Sequence, residues 1–313
     1  MTDKLAFVFP GQGSQSVGML SELAGASDLI QQTFEEASER LEVNLWELSQ
    51  QGPEADLNRT ANTQPAMLAA GVATWRLWQQ HGGPLPELLA GHSLGEYSAL
   101  VAANALGLED AAWLVAQRGR LMQEAVPEGE GAMAAVLGVD QPVLEEICQQ
   151  VADGDIVAPA NLNAPGQTVL SGSTPAIERA VEAAKARGAR RAIILPVSVP
   201  CHCDLLKPGA EQLAGHLQQV ELHRPEIPVI QNAEVQIYSE PGEIRAALVR
   251  QLYQPVRWIE TIESMAKHGV SRAVECGPGK VLAGLMRRID RSIAAYPVMD
   301  TASLDKALAE TAA

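Results

Sequence analysis

Short apolar runs that stop at glycine or proline alternate along this chain with longer stretches whose apolar positions recur at helical spacing. Residues 5–9 form the first run and end at Pro10, as a strand buried on both faces does. Residues 29–41 and 63–80 carry helical periodicity. A second apolar run, Leu88-Leu89-Ala90, opens into Gly91-His92-Ser93-Leu94-Gly95 and an alanine-rich helical pattern, and a further helix follows over 109–124. Strands and helices in alternation predict an α/β fold with a parallel sheet.

From Pro127 the texture changes. Strands are expected at 132–137, 156–162, 167–171 and 191–195, with helices at 143–151 and 176–187. The order β-α-β-β-α-β is that of a ferredoxin-like unit. Pro127-Glu128-Gly129 and the segment from Pro196 to Pro200 read as its hinges. The expected organisation is a large α/β-hydrolase-like domain, 1–127 with 198–313, and an inserted ferredoxin-like domain, 128–197. Beyond it the alternation resumes, with strands at 228–231 and 272–276 and helices at 242–252, 258–267 and 280–288.

The G-x-S-x-G run between a strand and a helix has the layout of a nucleophile elbow, which lifts one serine above the sheet. The helix beginning near Leu94 aims free N–H groups at whatever Ser93 attacks. A serine hydroxyl needs a base, and six histidines compete. His92 adjoins Ser93 on a strand and should face away. His81, His216 and His223 lie in a loop, a polar helix and a proline-flanked connection, and His268 suits a helix C-cap. His202 follows the strand-like 195–200 and precedes a helical run from Asp204, so pattern favours it as the base. No acid stands out to orient it; Asp204 is near, but a helix N-cap is its plainer role.

Composition narrows the class. The 313 residues are 47% hydrophobic and 19% charged, which is globular, and only 4% are aromatic, which suits helix–sheet layers. A net charge of −15 argues against binding nucleic acid or anionic membranes. Cys148, Cys201, Cys203 and Cys276 form no C-x-x-C pair and read as reduced thiols of a cytoplasmic protein, with no metal site. No basic segment and apolar core of a signal peptide opens the chain, and no run suits a membrane span. Gly11-Gln12-Gly13-Ser14 lacks the third glycine of a dinucleotide fingerprint, and Gly277-Pro278-Gly279-Lys280 lacks the spacing of a phosphate loop.

Several segments together resemble a known family. Phe9-Pro10-Gly11-Gln12-Gly13-Ser14-Gln15, Gly91-His92-Ser93-Leu94-Gly95-Glu96-Tyr97 and Gln117-Arg118-Gly119 occur in its order and spacing. So do Asn161-Leu162-Asn163-Ala164-Pro165-Gly166-Gln167, Val199-Pro200-Cys201-His202-Cys203, Gln251-Leu252-Tyr253-Gln254-Pro255-Val256 and Glu275-Cys276-Gly277-Pro278-Gly279. From about residue 4 to residue 290 the chain is similar to the stand-alone bacterial malonyl-CoA:acyl carrier protein transacylases of fatty-acid synthesis.

The resemblance implies roles. Ser93 would be acylated by malonyl-CoA, with His202 as base and later as acid for the leaving thiol. Gln251 would orient His202 through a carbonyl oxygen, in place of the usual carboxylate. Gln12 and the backbone N–H of Leu94 would form the oxyanion hole, where losing one donor costs about 3 kcal/mol. Arg118 would hold the free malonyl carboxylate in a bidentate fork, and Asn163 would line the substrate site. Cys201 stands where family members commonly carry serine, and suggests sensitivity to alkylating agents or oxidation. No bound cofactor is implied: malonyl-CoA is substrate, and the acceptor is the phosphopantetheine thiol of an acyl carrier protein. That partner is acidic in this pathway, and Lys185-Ala186-Arg187-Gly188-Ala189-Arg190-Arg191, with Arg287-Arg288, offers cations for it. A serine hydrolase using the same acyl-enzyme is the main rival.

Overall fold

The computed structural model describes residues 3–197 and 199–312. Its strands are β1 (Lys4–Phe9), β2 (Leu88–Gly91), β3 (Gly131–Leu137), β4 (Val157–Ala164), β5 (Gln167–Ser173), β6 (Arg191–Ile194), β7 (Val229–Ile230), β8 (Val270–Cys276) and β9 (Ala294–Val298). Five of them make a parallel sheet in the order β7-β2-β1-β8-β9. The other four make a separate antiparallel sheet in the order β4-β5-β3-β6.

The continuous apolar run of β1 is explained by its two covered faces. Phe7 meets Trp75 and Trp78 of the helix Thr60–Gln80 edge-on, at ring separations of 5.1 and 5.2 Å. Ala6 and Val8, on the opposite face, pack in the cluster that holds Trp258, Ile262 and Met265 from the helix Trp258–Lys267. Each large apolar side chain buried in this way contributes roughly 2–3 kcal/mol. Phe9 pairs with Gly91, so the loops after β1 and β2 leave the sheet side by side at its C-terminal edge, where open parallel sheets take their ligands.

The antiparallel sheet is also covered unequally. Helices Gln141–Val151 and Thr174–Ala186 pack one face through Leu144, Ile147, Ile177 and Val181. The other face presents Met133, Ala160 and Val169 towards Leu195 and Cys201. That second face is half a core, completed by residues on the segment after β6.

Several elements differ from the pattern reading. The long helix begins at Thr60, three residues early, and carries Pro65 within its second turn; nearly every side chain is buried, which blurs its start. Helices Ser21–Ala26, Leu45–Gln51, Glu54–Leu57 and Thr301–Thr311 and the strand β9 were not expected. β9 contains Pro297, tolerated because the strand lies at the sheet edge. The last helix is fixed by a capping box between Asp300 and Ser303. Ser198, where the second domain boundary was placed, lies outside the described residues. No helix among the described residues is long and apolar enough to cross a membrane.

Candidate active site

Ser93 sits in the left-handed region, at φ 53°, between β2 and the helix Gly95–Ala102. The two flanking glycines are required by close approach. A Cβ on Gly91 would fall on the backbone of Gly95 and Glu96, and one on Gly95 would fall on the Phe9 carbonyl. The turn therefore folds against itself and against the end of β1.

His202 comes to this serine from across the chain. Its Nε2 lies 2.8 Å from Ser93 Oγ, and its Nδ1 lies 2.8 Å from the main-chain oxygen of Gln251. A carbonyl only accepts, so Nδ1 carries the ring proton and Nε2 presents its lone pair to the serine hydroxyl. The orienting carbonyl expected of Gln251 is thus its backbone oxygen. The Gln251 side chain is engaged elsewhere: Nε2 donates to the Ser93 carbonyl at 2.9 Å, and Oε1 accepts from Arg118 at 2.9 Å. Burial, reinforced by the Arg118 charge, pushes the His202 imidazole down to about 3, against a smaller upward pull from the Gln251 carbonyl. Asp204 is not an orienter. It stands in the first turn of a short 3-10 helix rather than at its N-cap, and pairs with Lys207 at 2.8 Å.

His92 turns away from Ser93 Oγ, as strand alternation predicts. Its ring leans edge-on against Trp258, and Nε2 donates to Asn163 Oδ1 at 2.8 Å. Burial holds its pKa below the usual imidazole value. Asn163, expected to line the substrate site, is occupied by this bond and is absent from the cavity wall. Asn161, two residues earlier on β4, lines the wall instead, with a buried side-chain oxygen that has no partner among the described residues. The pairing register of β4 shifts between Pro159 and Asn161 and again between Leu162 and Ala164, so strand alternation does not fix which asparagine meets the cavity, and sequence alone could not rank them.

Arg118 is buried, with 1% of its surface exposed, in the helix Leu108–Glu124. One terminal nitrogen donates to Gln64 Oε1 at 2.8 Å, and the other to Gln251 Oε1 and to Ser93 Oγ at 3.1 Å. Its guanidinium lies over the Tyr97 ring, and its Nε has no partner among the described residues. No carboxylate among the described residues forms an ion pair with it. Arg120, two positions on, is exposed.

These groups open on a cavity of about 420 Å³. Gln12, Ser93, Leu94, Arg118 and His202 line it from the elements around the parallel sheet, and Met133, Asn161, Val169 and Leu195 from the antiparallel sheet and the segment after β6. Gln12 is an exposed side chain on the loop after β1, and the Leu94 N–H finds no acceptor among the described residues. Cys201, half-buried, also lines the wall; burial pushes its thiol up to about 12, which disfavours the thiolate that reagents attack. No cluster of His, Cys, Asp or Glu able to hold a metal occurs among the described residues. Sequence reading missed Gln64, Asn161, Glu96 and Asn232. Glu96 and Asn161 lay inside motif segments but were given no role there; Gln64 and Asn232 sit in segments without a local signal.

The chain belongs to the acyl transferase family, whose domain matches residues 6–305. Within that class its similarity is specific. It is 51% identical over 307 residues to the malonyl CoA-acyl carrier protein transacylase of Salmonella typhimurium, covering 98% of this chain and 99% of the relative. The crystal structure of an acyl carrier protein S-malonyltransferase from Vibrio cholerae superposes with a TM-score of 0.95 at 52% identity, covering 97% of this chain and 99% of that one. A malonyl-transacylase solved in complex with a type II PKS acyl-carrier protein superposes with a TM-score of 0.97 at 54% identity, covering 98% and 100%.

Proposed function

We propose that this protein moves malonyl groups from malonyl-CoA to the phosphopantetheine thiol of an acyl carrier protein, through an ester on Ser93, for fatty-acid synthesis. Ser93 Oγ attacks the thioester carbonyl carbon while His202 Nε2 takes its proton. The oxyanion that forms is met by the Leu94 N–H and the Gln12 carboxamide. Collapse breaks the carbon–sulfur bond, and His202 returns the proton to the departing CoA thiol. The carrier thiol then attacks the ester and reverses the sequence. A thioester is an activated donor, so a neutral carbonyl suffices to orient His202. No bound cofactor enters the scheme.

Arg118 carries this reading. A buried guanidinium beside a nucleophile, with no carboxylate in ion-pair contact among the described residues, is costly unless a ligand completes it. The free carboxylate of a malonyl group has the charge and the planar two-oxygen edge to do so. Arg118→Ala should then lower malonyl loading of Ser93 by roughly 100-fold or more and acetyl loading far less. Equal losses for both acyl groups would remove the carboxylate role.

We also read the chain as a large unit, 1–127 with 198–313, that carries an inserted unit, 128–197. The separate core under the antiparallel sheet supports that division. Strand order β4-β5-β3-β6 with two helices on one face supports a ferredoxin-like insert. The hydrolase-like likeness of the large unit rests on the elbow. Four free cysteines, three of them buried and Cys201 half-buried, fit a cytoplasmic setting.

For the carrier protein, Arg190 and Arg191 are the cations we favour. Lys185 pairs with Glu182 and Arg187 with Glu146, whereas Arg190 and Arg191 are exposed without an anionic partner among the described residues. Arg288 donates to Gln167, and so ties the two units together. β6 runs from Arg191 towards Leu195 and Val197 on the cavity wall, about 13 Å at strand spacing.

A further inference from the structure

The loop after β7 supplies a side chain that the scheme above does not use. Asn232 is wholly buried and engages all four of its hydrogen-bonding groups. Its Oδ1 accepts from the Ser93 N–H at 2.6 Å, and its Nδ2 donates to the Gly91 carbonyl at 2.6 Å. Its own N–H donates to Glu96 Oε2 at 2.7 Å, and its carbonyl accepts from the Arg257 N–H at 3.2 Å. The carboxamide thus grips the chain on both sides of His92, across the turn that carries the nucleophile.

We propose that Asn232, anchored by Glu96, is the positioning residue that holds the elbow in its reactive conformation. The proposal rests on the acyl-serine reading and deepens it. A non-glycine residue in the left-handed region costs of order 1–3 kcal/mol and persists only where its surroundings over-determine it. At Ser93 the surroundings are Asn232 on the N–H side, and Gln251 Nε2 with the Glu96 N–H on the carbonyl side. Released on the first side, the Ser93 peptide is free to rotate. That swings Oγ off the His202 lone pair and turns the neighbouring Leu94 N–H away from the oxyanion.

Glu96 adds an independent sign of function. It is a fully buried carboxyl, and its second oxygen has no partner among the described residues. Stability alone would favour an apolar residue there. What Glu96 provides is a fixed acceptor, on the nucleophile's own helix, for the main chain of Asn232. The elbow, its helix and the β7 loop therefore move as one piece.

The test compares wild type with Asn232→Ala, Asn232→Asp, Glu96→Ala and Glu96→Gln. The readouts are the rate constant and KM for Ser93 acylation by malonyl-CoA, labelling of Ser93 by a fluorophosphonate probe, and thermal midpoint. Asn232→Ala should slow acylation by roughly 10- to 100-fold, the scale of a misplaced nucleophile, with KM changed less than threefold. Probe labelling should slow in parallel. Glu96→Ala should slow acylation in the same direction, whereas Glu96→Gln keeps an accepting oxygen and should recover most of the rate. Asn232→Asp keeps the acceptor for the Ser93 N–H and serves if the alanine variant does not fold. It should then be slowed less than tenfold. Folded Asn232→Ala protein that acylates within threefold of wild type, or whose loss lies wholly in KM, overturns the proposal. If wild type gives no malonyl adduct yet the probe still separates the variants, the positioning role stands and the transacylase reading falls.

Discussion

At neutral pH roughly a quarter of ordinary imidazoles carry a second proton and cannot act as bases. Burial and then the Arg118 charge hold His202 down to about 3, which keeps it neutral and receptive. The same displacement sets a stability term. Between pH 6.5 and about 3 the unfolded chain binds a proton at this site that the folded one refuses, so stability falls as pH drops through that window. Glu96, raised to about 7 by burial, titrates nearby, but a carboxyl offers Asn232 an accepting oxygen in either state. Acylation of Ser93, followed in single turnovers from pH 8 to pH 5, should therefore stay within about twofold. A loss centred near 6.5 would mean that His202 behaves as an ordinary imidazole.

The elbow shows what an element can and cannot reveal beforehand. Its strand, glycines and helix were legible because each obeys a local rule: an apolar run, a tight approach and a helical pattern. Gly95→Ala puts a methyl group onto the Phe9 carbonyl. It should cost about 3 kcal/mol or more, or prevent folding, as a thermal melt or expression trial would show. A stable, active Gly95→Ala protein would mean that the strand and turn are not in such contact. The partners of the elbow were less legible. His202 was favoured by position, but its orienter is a main-chain oxygen, which no side-chain identity announces. Asn232 lies in Gln231-Asn232-Ala233, a loop with no motif, and matters only because a two-residue strand delivers it to Ser93. β9 was hidden by Pro297, and the start of the long helix by burial on every side.

Across the whole molecule, the cavity is shared. The elements around the parallel sheet supply the nucleophile, its base and the buried cation, and the antiparallel sheet closes the other wall with Met133, Asn161 and Val169. The bond between His92 and Asn163 and that between Arg288 and Gln167 tie the antiparallel sheet to elements around the parallel one. A chain at −15 can approach an acidic carrier only through a local cationic face. Reversing Arg190 and Arg191 to Glu should raise KM for the carrier protein by roughly tenfold and leave malonyl loading of Ser93 unchanged. Altered loading would instead place those arginines in the fold or on the CoA.

Intact-mass analysis tests the central claim most directly. The protein is incubated briefly with malonyl-CoA, then with holo-acyl carrier protein, alongside Ser93→Ala. The account predicts a malonyl adduct on the wild-type chain, none on the variant, and its transfer to the carrier. An adduct lost to water at one rate with or without carrier would make the protein a hydrolase, and an adduct that survives Ser93→Ala would contradict the assignment of the nucleophile.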